Sequence, residues 1–140
     1  MEPRGGVKMG KERIEFVEKL RLLRSYFEDT RSPALSAYDV LVEGKYQEDS
    51  AYQVSLGFLS IANQSYLFAK AIYNENALWN DEIDKFFTTF EDYRFELKEY
   101  ISDKDNNSSW LSSRKESFVK ECNKSIEFIT EHIIANNKLK

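Results

Sequence analysis

His132 and Cys122 are the side chains best suited to acid–base, nucleophilic or metal chemistry, and each residue type occurs once among 140 residues. They lie on one predicted helix, about 15 Å apart at the α-helical rise, so they cannot hold one metal ion. A di-iron bundle would need two Glu-x-x-His pairs. We therefore predict no metal site. We expect His132 near a helix C-terminus, where the dipole favours its protonated form, and Cys122 as a buried thiol in an apolar stripe.

Common catalytic and cofactor motifs are missing from the sequence. It has no Gly-rich phosphate loop and no G-x-S-x-G nucleophile turn, and the glycine pair Gly5-Gly6 stands alone near the N-terminus. The carboxylates of Glu12, Glu15 and Glu18 follow the spacing of a solvated helix face. We predict no catalytic residue, no cofactor and no enzymatic activity.

The overall charge disfavours nucleic acid as a partner. The net charge is −4, whereas phosphate contact requires clustered Lys and Arg. The strongest basic candidates are Arg21 and Arg24 on the first predicted helix and Arg114 and Lys115 on the last. They would form one basic patch if these two helices lie side by side.

Cysteine usage and hydropathy indicate the compartment. One cysteine cannot form an intramolecular disulfide. No run approaches the ~18 apolar residues of a transmembrane helix, and residues 1–10 have no apolar core of a signal peptide. We expect a cytoplasmic protein that does not associate with membranes.

Residues that form turns are scarce, with five Gly and two Pro in the chain. A β-sandwich or barrel would need a turn signal about every 8–12 residues. The composition predicts an all-α, single-domain bundle of about five helices over residues 11–135. Residues 1–10 are expected to be a flexible N-terminal lead-in, and residues 136–140 a frayed C-terminus.

Apolar spacing predicts two helices in the first third of the chain. The first spans 11–30. Ser32 as N-cap and Pro33 at the first helical position predict a new, short helix over 34–43. Gly44 is expected to follow it in the left-handed conformation of a C-terminal cap.

Two further helices are predicted after residue 80. Asn80 caps a helix that ends near Ile101 and carries a regular apolar stripe. A polar loop follows over 102–109. A capping box that starts at Ser113 opens the last helix, which ends near Ala135.

The third helix, over about 48–73, is predicted to be the central helix because Asp49 and Lys70 are its only interior charges. Its main buried face is expected to comprise Ala51, Val54, Phe58, Ile61, Ala62, Phe68 and Ile72. A stripe of small or neutral residues accompanies it: Gln53, Gly57, Ser60 and Gln64. The candidate interface or pocket residues are Tyr52, Gly57, Ser60, Asn63, Gln64 and Tyr66.

Three interpretations of these polar residues stay open at this point. They could pack inside the bundle, with neighbouring helices supplying hydrogen bonds. They could form a homodimer or partner interface, since small residues let another helix approach closely. They could also line a small-molecule pocket between Tyr52, Asn63, Tyr66 and Phe90.

One stretch resembles a known family. From Ser36 to Asn63, a helix ends in the turn Glu43-Gly44-Lys45-Tyr46 and a long helix follows, as in the helical hairpin of HEPN-type bundles and their archaeal PaREP1-like relatives. The nuclease members carry Arg, four to six residues and His, whereas the nearest arginine before His132 is Arg114. The resemblance implies a dimeric, non-catalytic member that binds nucleotide or a cognate protein.

The sequence thus predicts a non-catalytic helical-bundle interaction protein that acts as a homodimer or as a subunit of a larger assembly. The alternatives are a HEPN-like nucleotide- or RNA-binding protein without the nuclease motif and a small-molecule binder.

Overall fold

A computed structural model of the chain describes residues 3–103 and 108–138. Within these ranges the chain forms four α-helices and no strand: α1 (Pro3–Glu43), α2 (Glu48–Glu75), α3 (Asp81–Asp103) and α4 (Ser109–Lys138). The all-helical class is confirmed, and the expected five helices are four. The backbone of α1 includes residues 3–10 of the predicted lead-in, and α4 continues three residues beyond Ala135.

Successive helices pack side by side in opposite directions. The Ser55 hydroxyl of α2 donates to the carbonyl of Ala37 in α1, while Phe68 lies against Tyr26, so the two helices are antiparallel. Other contacts show the same relation between α2 and α3, α3 and α4, and α4 and α1. The fold is therefore an up-down-up-down four-helix bundle.

The predicted break at Ser32-Pro33 is wrong, because α1 continues through Pro33. Proline inside a helix removes one hydrogen bond and costs about 3 kcal/mol in an isolated helix. Tertiary packing on both sides offsets this cost. Thr30, Ala34 and Ala37 are fully buried, and their small size lets neighbouring helices approach α1 closely.

Hydrogen bonds from other helices also hold α1 beyond the proline. The Tyr93 hydroxyl of α3 donates to the Ala34 carbonyl at 2.6 Å, and the Ser55 hydroxyl donates to the Ala37 carbonyl at 2.7 Å. Such bonds form only when the bundle assembles, so the local sequence signal for a new helix does not decide the outcome.

The helix ends confirm one predicted cap and correct another boundary. Gly44 follows α1 with φ 70°, as the C-terminal cap requires. The last helix begins at Ser109 rather than at the capping box of Ser113, because Leu111 is buried and gains from one more helical turn. Residues 102 and 103 of the predicted loop belong to α3, and residues 104–107 lie outside the described residues.

Aromatic side chains from all four helices fill the core. Phe27 of α1 stacks on Phe86 of α3 with ring centroids 3.7 Å apart, and Phe118 of α4 contacts Phe86, Phe90 and Tyr93. Tyrosines take part fully, since Tyr66 and Tyr93 are among the largest buried side chains. Each ring adds apolar burial and favourable edge or offset contacts.

The buried face of α2 differs from the predicted one. It consists of Ala51, Ser55, Leu59, Ala62, Tyr66, Ala69 and Tyr73. Ile61 and Phe68, which were expected in the core, are largely exposed. The small residues Ser55, Ala62 and Ala69 of the buried face allow α1 and α2 to pack closely, and this orientation of α2 leaves Ile61 and Phe68 on its outer side. Consequently α2 is one wall of the bundle and is not wrapped by the other three helices.

Candidate functional site

Apart from Lys70 at its edge toward α3, the exposed side of α2 between Gln53 and Ala71 forms an uncharged surface. We call it the outward face of α2, and it comprises Gln53, Leu56, Gly57, Ser60, Ile61, Gln64, Leu67, Phe68 and Ala71, all exposed. It covers about 27 Å of helix at 1.5 Å per residue. None of these nine side chains is charged, although charged residues make up 31% of the chain.

Four large apolar side chains flank the centre of this face. Leu56, Ile61, Leu67 and Phe68 are between 39% and 56% exposed. Leu56 and Leu67 lie on the flank toward α3, and the other two lie on the flank toward α1, where Phe68 contacts Tyr26 at 5.5 Å. Several exposed apolar side chains on one side of a helix favour an interaction site over a fully solvated face.

The centre of the face contains three of the predicted candidates: Gly57, Ser60 and Gln64. A Cβ atom added at Gly57 would meet no atom within 4 Å, so the surface above this glycine is open. Small side chains at this point let the backbone of another helix approach closely. The structure places these three residues on the exposed side of α2 together with Ile61 and Phe68, which the sequence pattern assigns to the core, and with Leu67, which it does not single out.

The other three candidates do not lie on the outward face. Tyr66 is buried, and its ring stacks on Phe90 at 4.8 Å. Asn63 accepts a hydrogen bond of 2.5 Å from Arg94. Tyr52 lies about three helical turns before Asn63 on α2, and its hydroxyl donates to Glu48. Asn63, Tyr66 and Phe90, three of the four residues predicted to line a pocket, are neighbours, because Arg94 contacts all three. Direct packing of Tyr66 on Phe90 fills the space between them.

A polar cluster joins α2 to α3 beside the outward face. The Tyr66 hydroxyl donates to Glu91, and the Lys70 ammonium lies 3.3 Å from the same carboxylate. The Arg94 guanidinium lies over the rings of Tyr66 and Phe90, 5.1 and 5.6 Å from their centroids. These contacts fix α3 against α2 and satisfy the polar groups at the seam.

Burial and hydrogen bonding shift the pKa values in this cluster. Burial, and then the hydrogen bond to Glu91, raise the pKa of the Tyr66 hydroxyl. Burial raises the pKa of Glu91, but hydrogen bonds from Tyr66 and Lys70 and the nearby positive charges outweigh it and lower the pKa below its usual value. Glu91 is thus an ionised acceptor and Tyr66 a protonated donor at neutral pH, which suits a structural role.

The predicted basic residues are not brought together. Helices α1 and α4 do lie side by side, but they are antiparallel. Arg24 donates to Thr130 near one end of the bundle, whereas Lys115 lies over the ring of Tyr38, 4.7 Å from its centroid. Along α1, the positions of Arg24 and Tyr38 differ by about 21 Å. Arg21, which pairs with Glu18 at 2.7 Å, lies with Arg24, and Arg114 lies with Lys115.

Cys122 and His132 occupy different environments. Cys122 is fully buried, and burial raises the pKa of its thiol to about 12, so it is protonated and shielded from reagents. His132 is exposed on α4, and its Nδ1 lies 3.1 Å from the Phe128 carbonyl. Among the described residues, no three His, Cys, Asp or Glu side chains are grouped so that they could hold a metal ion.

A groove of about 230 Å³ lies at one end of the bundle and is a second candidate site. Phe16 of α1, Trp79 of the α2–α3 turn, and Phe128 and His132 of α4 are among its lining residues. Ligand pockets are usually about 300–1,000 Å³, so this groove could hold only a small group. The outward face of α2 is the more extensive candidate.

Comparisons of the chain with models of protein families, with curated proteins and with solved structures found no match. The resemblance of residues 36–63 to a HEPN hairpin therefore stays a prediction. In the described part of the chain, no helix is both long and apolar enough to cross a membrane.

Proposed function

We propose that the protein is a non-catalytic helical-bundle interaction protein that acts as a homodimer, with the outward face of α2 as its contact surface. The observation that carries this proposal is the uncharged, partly apolar character of that face over more than five helical turns. A helix with one solvated face normally carries charged residues there. On α2 they are replaced by Leu56, Ile61, Leu67 and Phe68.

Burial of these side chains provides the driving force for association. Apolar surface removed from water contributes about 25 cal/mol per Å² before the cost of association is subtracted. The open surface above Gly57 lets a partner helix approach closely, so that the flanking side chains of both partners can make contact. The net charge of −4 opposes self-association over the rest of the surface, which directs contact to the uncharged face.

The test replaces Ile61 with lysine. An ammonium group at the centre of the contact would be desolvated without a partner, so Ile61→Lys should weaken self-association by more than about tenfold, or about 1.4 kcal/mol. The matched control is Ile134→Lys on α4, because Ile134 is 47% exposed and Ile61 is 56% exposed. Helix α4 lies diagonally opposite α2, so the control should dimerise like the wild type.

Light scattering coupled to gel filtration gives the masses, and circular dichroism shows that each variant is folded. Dimeric wild type and control with a monomeric Ile61→Lys would support the proposal. Equal behaviour of the two variants, or a wild type that is monomeric at all concentrations up to about 200 µM, a range that covers micromolar dimers, would contradict it.

A further inference from the structure

We infer that the outward face of α2 binds a second copy of this chain in an antiparallel arrangement, with the two-fold axis crossing the helix pair at Ser60–Ile61. This inference rests on the proposed homodimer and specifies its geometry. The contact is self-complementary, because both copies use the same surface. Three independent features of α2 indicate the same register.

Charge complementarity is the first feature. Asp49 at the start of α2 and Lys70 near its end are both exposed, and both lie on the flank toward α3. A two-fold axis that crosses antiparallel helices brings this flank against the same flank of the partner, so Asp49 of each copy faces Lys70 of the other. In a parallel pair the α3 flank of one copy would instead meet the α1 flank of the other, and this opposite-charge contact would be absent. Complementary charges fix the register of an interface.

The ion pair that Lys70 makes with Glu91 in its own chain does not prevent this pairing. Its ammonium lies 3.3 Å from Glu91 within the same chain, yet the Lys70 side chain is 47% exposed. An ammonium group carries three donors, so Lys70 can bind Glu91 and a partner carboxylate together.

The open surface above Gly57 is the second feature. With the axis at Ser60–Ile61, the residue opposite Gly57 is Gln64 of the second copy, a long neutral side chain that fits the open surface above the glycine. The contact occurs twice by symmetry. Gln64 needs hydrogen-bond partners when it is covered, and the adjacent Ser60 hydroxyl can supply one.

The apolar flanks are the third feature. In the same register, Leu56 of one copy meets Leu67 of the other, and again the contact occurs twice. The midpoints of the three pairings, Asp49 with Lys70, Gly57 with Gln64, and Leu56 with Leu67, each lie within about one residue, or 1.5 Å along the helix, of the axis at Ser60–Ile61.

Disulfide cross-linking tests the register, because the native Cys122 is fully buried and an introduced cysteine is the one accessible thiol. Ser60→Cys lies beside the two-fold axis and should cross-link readily under mild oxidation. Ser50→Cys and Ala71→Cys should not cross-link alone, since each lies about 30 Å from its own copy in this arrangement. Mixed together they should form the Ser50→Cys/Ala71→Cys heterodimer, because these positions face each other across the axis. Wild-type protein is the control for Cys122.

The outcomes separate the register from the homodimer itself. Cross-linking of Ser60→Cys, together with a cross-linked Ser50→Cys/Ala71→Cys mixture, would support the antiparallel register. Efficient cross-linking of Ala71→Cys alone would overturn the register and leave the homodimer intact, since it requires parallel helices. A dimeric protein in which none of the three cysteines cross-links would contradict the use of this face. A monomeric protein with no cross-link would contradict the proposed function as well.

Discussion

The turn between α2 and α3 contains an alanine where glycine is preferred. Ala77 has φ 51°, in the left-handed region. Two hydrogen bonds close the helix end around it: the Leu78 N–H donates to the Tyr73 carbonyl at 3.0 Å, and the Ala77 N–H donates to the Asn74 carbonyl at 3.2 Å. This is the Schellman motif, in which the left-handed position is usually glycine. We predict that Ala77→Gly stabilises the protein.

The magnitude follows from two opposing terms. The left-handed conformation costs a residue with a Cβ atom about 1–2 kcal/mol, and glycine avoids this cost. The greater freedom of glycine in the unfolded chain costs about 0.5–1 kcal/mol. The net gain in the free energy of unfolding is about 0.5–1 kcal/mol, which corresponds to about 2–3 °C in Tm for a chain of this size.

Gly44 provides a reciprocal control at the end of α1. It has φ 70°, and an added Cβ atom would meet nothing within 4 Å, so Gly44→Ala introduces the left-handed strain without a clash. It should destabilise the protein by about as much as Ala77→Gly stabilises it. Thermal and urea unfolding followed by circular dichroism, at one protein concentration because the chain is proposed to dimerise, measure both changes. A lower stability for Ala77→Gly, or an unchanged stability for Gly44→Ala, would refute the reasoning.

Three other predictions concern the helix faces and the buried polar groups. At a protein concentration at which the chain is monomeric, Gly57→Ala should stabilise α2 by about 0.5–1 kcal/mol, because glycine is a poor helix former and the added methyl group has space in the single chain; an unchanged urea midpoint there would contradict this. Tyr93→Phe should cost about 0.5–1.5 kcal/mol in the same assay, because it removes the 2.6 Å hydrogen bond to Ala34; a more stable variant would contradict it. Because the pKa of Glu91 is lowered on folding, its ionisation stabilises the protein above the ordinary glutamate pKa of 4.5, and this contribution is lost as the pH falls through the folded-state pKa. The difference in urea midpoint between wild type and Glu91→Gln should therefore shrink between pH 7 and pH values below about 4, whereas a constant difference would exclude this linkage.

Local signals in the sequence were sufficient to predict several elements. The scarcity of interior charges and the apolar spacing over about 48–73 predict α2, which ends two residues beyond the expected position 73. Gly44 follows the C-terminus of α1 in the predicted left-handed conformation, because such a cap is a property of a few adjacent residues. Asn80 also caps α3 as expected, since its Oδ1 accepts from the Glu82 N–H at 2.9 Å.

Features that depend on neighbouring helices could not be predicted in the same way. Pro33 is a valid local signal for a new helix, but packing of Ala34 and Ala37 keeps α1 continuous. The rotation of α2 also differs from the prediction, because the apolar spacing places Ile61 and Phe68 on the buried face, whereas both are exposed. The alignment of Ser55, Ala62 and Ala69 at seven-residue intervals was the available signal that close contact with α1 would bury the small residues instead.

The mass of the wild-type protein in solution tests the central claim most directly. Sedimentation equilibrium over a range of concentrations up to about 200 µM, which includes the micromolar range of moderate dimers, measures it without any substitution. The homodimer predicts a mass that rises to twice the 16.5 kDa of one chain and falls again on dilution. A mass that stays at one chain throughout this range would contradict the account.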